Sequence, residues 1–404
     1  MKPKIAIIGG GCSGLSLACT INTTKFDVCL LEKKNRLGSK LLVAGKGGFN
    51  LTHSEPLSNL KERYFPTSLL NPSLSYFSNT DFINFLADIG IDTYTGSSRR
   101  IFPVQAIKPI EVVNAIEHKI IKNKVKIRTN IELTAFEKLA DSLKLYLKIG
   151  EVISEEEFDI VVFSLGGRSW SVTGSDGKWL KMFERHNIKV SPFQPSNCAI
   201  KVNWPNSLID KISGSPLKNI SVSLGEQTLL GEVMLTDFGM EGTPIYTVSN
   251  RFEKFDNENT VQFVNLDFKP SSSKNTLLQK LERKRTSTWT NHLKKQLNLT
   301  KTQIELIRWK TSKAEFQSAE FIASLIKSFP IEISGLAPID EAISTVGGIN
   351  LSEISNHFEL KKFKNMFVLG EMLNWDAPTG GYLIQGCMSM GQFTANYLNS
   401  NFSD

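Results

Sequence analysis

Ile5-Ala6-Ile7-Ile8-Gly9-Gly10-Gly11-Cys12-Ser13-Gly14 is followed by an apolar stretch, Leu15 to Ile21, and by a second apolar run, Val28 to Leu31, that ends on Glu32. Strand, glycine turn, helix, strand and acid, in that order, form a dinucleotide-binding βαβ unit. Gly9 permits the tight turn, Gly11 lets the backbone approach a pyrophosphate, and Gly14 lets the helix pack close to the strand. The free N–H groups and the positive end of that helix then face the phosphates. Glu32 lies 18 residues after Gly14. A carboxylate there accepts hydrogen bonds from ribose hydroxyls and repels a ribose 2′-phosphate, which argues against NADP at this turn.

A length of 404 residues suggests two or three domains. With 41% hydrophobic and 22% charged residues, the composition is that of a soluble globular protein. No stretch approaches the roughly 18 to 20 consecutive apolar residues of a membrane span, and the first strand begins too early for a cleavable signal. Cys12, Cys19, Cys29, Cys198 and Cys387 are scattered without C-x-x-C spacing and read as reduced thiols of a cytoplasmic protein. The histidines have no metal-ligand spacing, so no metal is expected. The net charge of +7 is uneven: Lys274 to Lys313 holds eleven basic residues, opposed only by Glu282 and Glu305. Such a segment attracts nucleic acid or another anion, or is simply a solvated helical face.

Beyond the βαβ unit, Asn35 to Asn79 is a loop region rich in Gly, Lys, Ser and Asn. Thr80 is expected to cap a helix through Ile89 that stops at Gly90, and Pro109 to begin another through Ile121. Short strands are expected at Lys126–Arg128, Ile131–Phe136 and Leu143–Lys148. Phe158 to Ser164 reads as a buried parallel strand ending at Gly166-Gly167. From Pro192 to Phe268 polar and apolar residues alternate, as in antiparallel strands or a small barrel, and Lys274 to Ser328 turns helical. Asn365 to Leu369 is a strand running into Gly370-Glu371. Thr379-Gly380-Gly381 then opens a small-residue helix, Leu383 to Leu398, a second set of N–H groups facing a crevice. The expected organisation is therefore α/β: a two-segment Rossmann-like domain (1–191 and 336–404) carrying an insert (192–335) of antiparallel strands to about 270 and helices beyond.

GGGCSG (9–14), AGKGGFNLTH (44–53), RRIFPV (99–104), SLGGRSWSVTGSDG (164–177), TVGGI (345–349) and GEMLNWDAPTGGY (370–382) resemble, in order and across nearly the whole chain, the BaiN/YhiN-like flavoproteins, NAD(P)/FAD-dependent oxidoreductases. The resemblance implies an FAD domain whose insert is an incomplete β-barrel plus a small helical subdomain. It implies FAD held by the first glycine loop (Gly9, Gly11, Cys12, Ser13, Gly14), by Glu32 with Lys33, and by Lys40 and the Lys46-Gly47-Gly48 loop with Asn50. Leu133, Gly166, Gly370, Glu371, Thr379, Gly380, Gly381 and Tyr382 complete the expected cofactor set. One family member has ene-reductase-like activity on an oxidised bile acid. The common family loop reads Gly-Arg-Cys-Asn where this chain has Gly47-Gly48-Phe49-Asn50, which removes a guanidinium and a thiol beside the expected flavin. Near the C-terminus the common form has Asp at Asn374, Gly at Ala377 and Asn at Leu383.

Flavin would supply the hydride chemistry, so no catalytic triad is expected. Tyr382, Lys46 and Asn50 are the candidate catalytic residues, Tyr382 as proton donor or ring-stacking residue. Gly380 and Gly381 N–H groups would stabilise an anionic reduced ring. Arg99 and Arg100 either bind an anionic substrate or make surface ion pairs. His53 is a proton donor or a structural residue, and Trp375 reads as packing. There is no second G-x-G-x-x-G, so NAD(P)H would act as a transient reductant docking over the flavin. The leading reading is an FAD-dependent oxidoreductase acting on a small substrate between domain and insert, a conjugated unsaturated compound being one candidate class. The alternatives are an RNA-modifying or RNA-binding flavoprotein using the basic segment, and a flavin-binding sensor without turnover.

Overall fold

The computed structural model describes residues 2–43, 48–105, 107–249, 262–284 and 287–402. The chain divides into two compact units, one made of Met1–Gln194 with Ile343–Asp404, the other of Pro195–Ala342. The first is built on a parallel sheet in the order Met366–Val368, Ile160–Phe163, Lys4–Ile8, Asp27–Leu31, Lys126–Arg128. Its central strands are nearly continuous apolar runs because both faces are covered. Winding reverses at Lys4–Ile8, so the turn Gly9–Gly14 lies at the topological switch point, where open α/β sheets bind ligands. The strand Met366–Val368 arrives from the far end of the sequence, and the last helix, Tyr382–Asn401, packs on the first, Cys12–Thr20. Small residues permit that approach: a Cβ on Gly391 would lie 2.5 Å from the Ser13 carbonyl oxygen.

Several local expectations are corrected. The helix Asn79–Asp88 is capped by Ser78, not Thr80, because the Ser78 hydroxyl and the Asp81 carboxylate close a reciprocal capping box. Gly90, at φ +80°, follows its end. The excursion after Lys126–Arg128 contains a third antiparallel strand, Val152–Phe158, beside Ile131–Lys138 and Leu143–Ile149. Its run of Glu155, Glu156 and Glu157 hid it from an apolar-pattern reading, yet Glu155 pairs with Lys144 and Glu156 with Arg128. The helix Pro109–Lys122 does begin on its proline. The stretch Asn35 to Asn79, expected as loop, instead holds the helices Ser39–Val43, Leu57–Lys61 and Thr67–Tyr76 and the strand Thr52–His53, which forms a small sheet with Arg100–Pro103 and Thr93–Thr95.

In the second unit, seven strands form an antiparallel sheet whose central hairpin is Pro216–Leu224 with Gln227–Leu235. The helices between Lys274 and Lys327 do not form a separate core. Leu277, Leu281, Leu293, Leu297, Ile304 and Ile322 join Val222, Val233, Val264 and Phe329 of the sheet in one buried cluster. Among the described residues no helix is long and apolar enough to cross a membrane.

Candidate functional site

The Gly9–Gly14 turn is shaped by backbone contacts that leave no room for side chains at two of its glycines. Gly9 has φ +106°, and a Cβ there would lie 2.3 Å from the Ser164 carbonyl oxygen; at Gly14 it would lie 2.1 Å from the Gly9 carbonyl oxygen. Gly11 differs. It is exposed, its backbone is extended at φ −84°, and a Cβ would meet nothing within 4 Å. Gly11 is also the N-cap of the first helix, with no side-chain cap on that helix end. An open space at an uncapped helix N-terminus is what a pyrophosphate requires.

Glu32 reaches this turn. One carboxylate oxygen accepts the Gly10 N–H at 2.7 Å and the other accepts the Lys34 N–H at 2.8 Å. Each oxygen keeps lone-pair capacity for a ribose hydroxyl. Lys33 pairs with Asp176 at 3.1 Å, and Gly166, at φ +74°, accepts the Trp179 indole N–H through its carbonyl. Leu133 is half-buried in its strand opposite Leu147.

The C-terminal motif meets the same turn. A Cβ on Gly370 would lie 2.5 Å from the Ser13 hydroxyl, which is buried beside the Cys387 thiol without an oxygen or nitrogen partner. The Thr379 hydroxyl is likewise buried and unpartnered. Lys40 pairs with Glu371 at 2.8 Å. Burial pushes the Cys12 thiol up to about 12 and Glu371 adds to the shift, so Cys12 is a neutral thiol rather than a nucleophile. Asn374 accepts the Gly347 N–H with its side-chain oxygen, a contact an aspartate would also make. These features fit a dinucleotide: an open helix N-terminus with a carboxylate beside it.

At the other end, Gly380 and Gly381 are both left-handed (φ +122° and +93°), and a Cβ on Gly381 would lie 2.6 Å from the Thr52 backbone. Asn50 donates its N–H to the Gly48 carbonyl at 3.0 Å; Gly48 is exposed and left-handed. Lys46 and Gly47 lie outside the described residues. Arg100 is half-buried against Gly380 and Tyr382, and burial pulls its guanidinium below the usual range, whereas Arg99 is exposed. Trp375 is buried, donating its indole N–H to the Gly370 carbonyl.

Two residues with no sequence signal dominate this end. Glu55, only 4% exposed, accepts the Tyr382 hydroxyl at 2.6 Å and the Arg63 guanidinium at 2.9 Å. Burial pushes the Glu55 carboxyl up, but the hydrogen bonds from Arg63 and Tyr382 and the Arg63 charge outweigh it, so its net shift is downward and it is ionised. Burial and then Glu55 itself push the Tyr382 phenol well up. The His53 ring stacks on Tyr382 at 5.3 Å, and its Nδ1 accepts the Glu55 N–H. Burial lowers the His53 pKa and outweighs the pull of Glu55, which favours the neutral ring. Among the described residues no group of three His, Cys, Asp or Glu side chains is disposed to hold a metal.

The family described as "HI0933-like protein Rossmann domain" matches residues 3–397. The chain belongs to the HI0933-like family. As an HI0933-like protein it is a Rossmann-like flavoprotein of the FAD-dependent oxidoreductase class. A 3-dehydro-bile acid delta(4,6)-reductase of Clostridium scindens is 26% identical to this HI0933-like chain over 409 residues, 96% of this chain and 97% of its own. A ribosomal RNA dihydrouridine synthase of Haemophilus influenzae is 21% identical over 95% of each chain. A solved 3-ketosteroid delta1-dehydrogenase from Sterolibacterium denitrificans matches with a TM-score of 0.54 at 11% identity, covering 99% of this chain and 100% of that one; likeness at this level concerns the fold alone.

Proposed function

We propose that this protein is an FAD-dependent reductase of carbon–carbon double bonds conjugated to a carbonyl, with NAD(P)H as its reductant and a small molecule as its substrate. The observation that carries the proposal is a shared bond type. The bile acid relative is named for reducing double bonds beside a 3-oxo group, and dihydrouridine is uridine with the double bond next to its C4 carbonyl saturated. In each the bond is conjugated to a carbonyl, so its far carbon, β to that carbonyl or δ to it through a diene, is the one open to hydride attack. FAD, when bound, supplies a two-electron hydride carrier.

The chain's own residues bind and orient. The first helix presents its N–H groups through Gly11, with Gly9 and Gly14 holding the turn, and Cys12 and Ser13 begin that helix. Glu32 would accept ribose hydroxyls, and Lys33, Leu133 and Gly166 would hold the adenosine end. Lys40, Gly370, Glu371 and Thr379 would hold the middle of the cofactor. Gly48 and Asn50 would approach the ring. N–H groups at Gly380, Gly381 and Tyr382, at the positive end of the helix Tyr382–Asn401, would stabilise negative charge on a bound flavin. Tyr382 anchors that helix start through Glu55; as a proton donor it would have to give up a hydrogen bond to an ionised carboxylate.

Glu32→Ala should weaken flavin retention roughly 10-fold or more, the effect of losing hydrogen bonds to a charged group. The flavin-to-protein absorbance ratio after desalting reads this out, and an unchanged ratio would remove Glu32 from the ribose site. Anaerobic mixing with NADH or NADPH should bleach the flavin band near 450 nm. No bleaching by either would reject the nicotinamide link.

A second reading has its own support: the basic segment Lys274–Lys313 and the ribosomal RNA relative. There the same bond type is reduced in a uracil of RNA. Prereduced enzyme decides between the two. Reoxidation by a 3-oxo-4-ene steroid supports the small-molecule reading; reoxidation by uridine-containing RNA alone replaces it.

A further inference from the structure

The second unit carries a recess of about 510 Å³ lined by Lys218, Asn219, Lys269, Asn298, Thr300 and Gln303, with Phe268 and two prolines at its apolar side. Among the described residues no carboxylate lines it. Its position follows from three irregularities of the chain. A β-bulge in the strand Pro216–Leu224 falls between Leu217 and Ile220 and turns out Lys218 and Asn219, the latter left-handed at φ +52°. The helix Trp289–Leu297 ends on a left-handed Asn298 (φ +49°), and the next helix, Lys301–Lys310, starts at once from its N-cap Thr300. That helix turns its positive end to the recess wall.

The cationic groups here are incompletely compensated. Lys269 donates its ammonium to the Asn298 carbonyl, and no carboxylate pairs with it among the described contacts. Burial, and after it the charge of Lys280, hold its pKa below the usual range, the mark of a cation without a counterion. The nearby Asp267 is neutralised by Lys327. Among the described residues Lys218 pairs with Glu232 alone, at 3.8 Å between two exposed side chains, a contact worth little. Lys294, Lys295 and Lys301 are exposed on the adjoining helices and have no ion pair among the described residues.

We infer that this recess is a phosphate site that seats the backbone of single-stranded RNA, with Lys218 and Lys269 as its two charged contacts. Amide groups of Asn219 and Asn298 and the Thr300 hydroxyl suit phosphate and 2′-hydroxyl oxygens, and a lining without carboxylates suits an anion. This inference rests on the RNA reading of the preceding section and adds to it a location.

The test is binding of a 20-nucleotide uridine-rich single-stranded RNA to the full-length protein as a function of salt, for wild type, for Lys218→Gln with Lys269→Gln, and for Lys2→Gln with Lys364→Gln as a charge-matched control. Two lost phosphate contacts should lower the log–log salt slope by about 1.4 in the first double variant. The control should keep the wild-type slope, and both double variants should keep the flavin content and NAD(P)H bleaching of wild type. Wild-type binding with an unchanged slope in Lys218→Gln/Lys269→Gln would overturn the site while leaving the RNA reading standing. Absence of salt-sensitive RNA binding in wild type would overturn both. Displacement of the RNA by micromolar AMP would reassign the recess to a free mononucleotide and overturn the RNA assignment.

Discussion

Gly11→Leu should purify as a folded protein with almost no flavin. In the protein alone the substitution is permitted: the backbone there is extended, and the added side chain points into space with no protein atom within 4 Å of its Cβ. It should therefore leave melting of the flavin-free protein within about 0.5 kcal/mol of wild type, as surface changes usually do. The same space is where a pyrophosphate would approach the helix N-terminus, so a leucine there excludes it sterically. A yellow variant with normal flavin stoichiometry would show that the cofactor does not cross this turn. Gly14→Ala makes the contrast. Its Cβ would lie 2.1 Å from a backbone oxygen, so it should lose stability as well as flavin.

The second large effect is expected at Glu55. Glu55→Ala leaves the buried Tyr382 hydroxyl without its acceptor, costing about 1–3 kcal/mol. Arg63 is half exposed and rehydrates, so its loss of a partner adds little. A denaturant midpoint indistinguishable from wild type would mean that the pair is not a stabilising contact. The pH dependence carries a sign. The folded carboxyl lies below its unfolded value, so its stabilisation is present above the unfolded pKa and is lost as pH falls through the folded one. Glu55→Gln, which keeps a hydrogen-bond acceptor without the charge, should flatten the acid limb of the stability curve. An acid limb as steep as that of wild type would locate the acid sensitivity elsewhere. Tyr382→Phe should destabilise less than Glu55→Ala, because Glu55 then keeps Arg63.

How far the chain can be read without its tertiary structure depends on the range of the forces involved. The βαβ unit is legible because each of its requirements is local: an unbroken apolar strand, glycines where backbone meets backbone, and an acid at a fixed distance. The start of the helix at Pro109 and the two-segment Rossmann-like architecture follow from similarly short patterns. The strand Val152–Phe158 escaped because Glu155, Glu156 and Glu157 interrupt any apolar alternation, while backbone pairing with Leu143–Ile149 runs along its whole length. The Ser78 cap turned on which of several adjacent polar residues closed the capping box.

The candidate site divides along the same line. Gly9, Gly14, Glu32 and the Gly380-Gly381 turn announce themselves by residue type and spacing. The Glu55–Tyr382 pair joins residues 327 apart, and nothing near either one marks it. Lys40 meets Glu371 across 331 residues, and the Ser13 hydroxyl meets Gly370 only because the last strand joins the sheet next to Ile160–Phe163. Local backbone preference and hydrophobic period select the elements. Which buried charges face one another is decided when those elements pack, since a carboxylate such as Glu55 is ionised inside a protein only where folding delivers its donors.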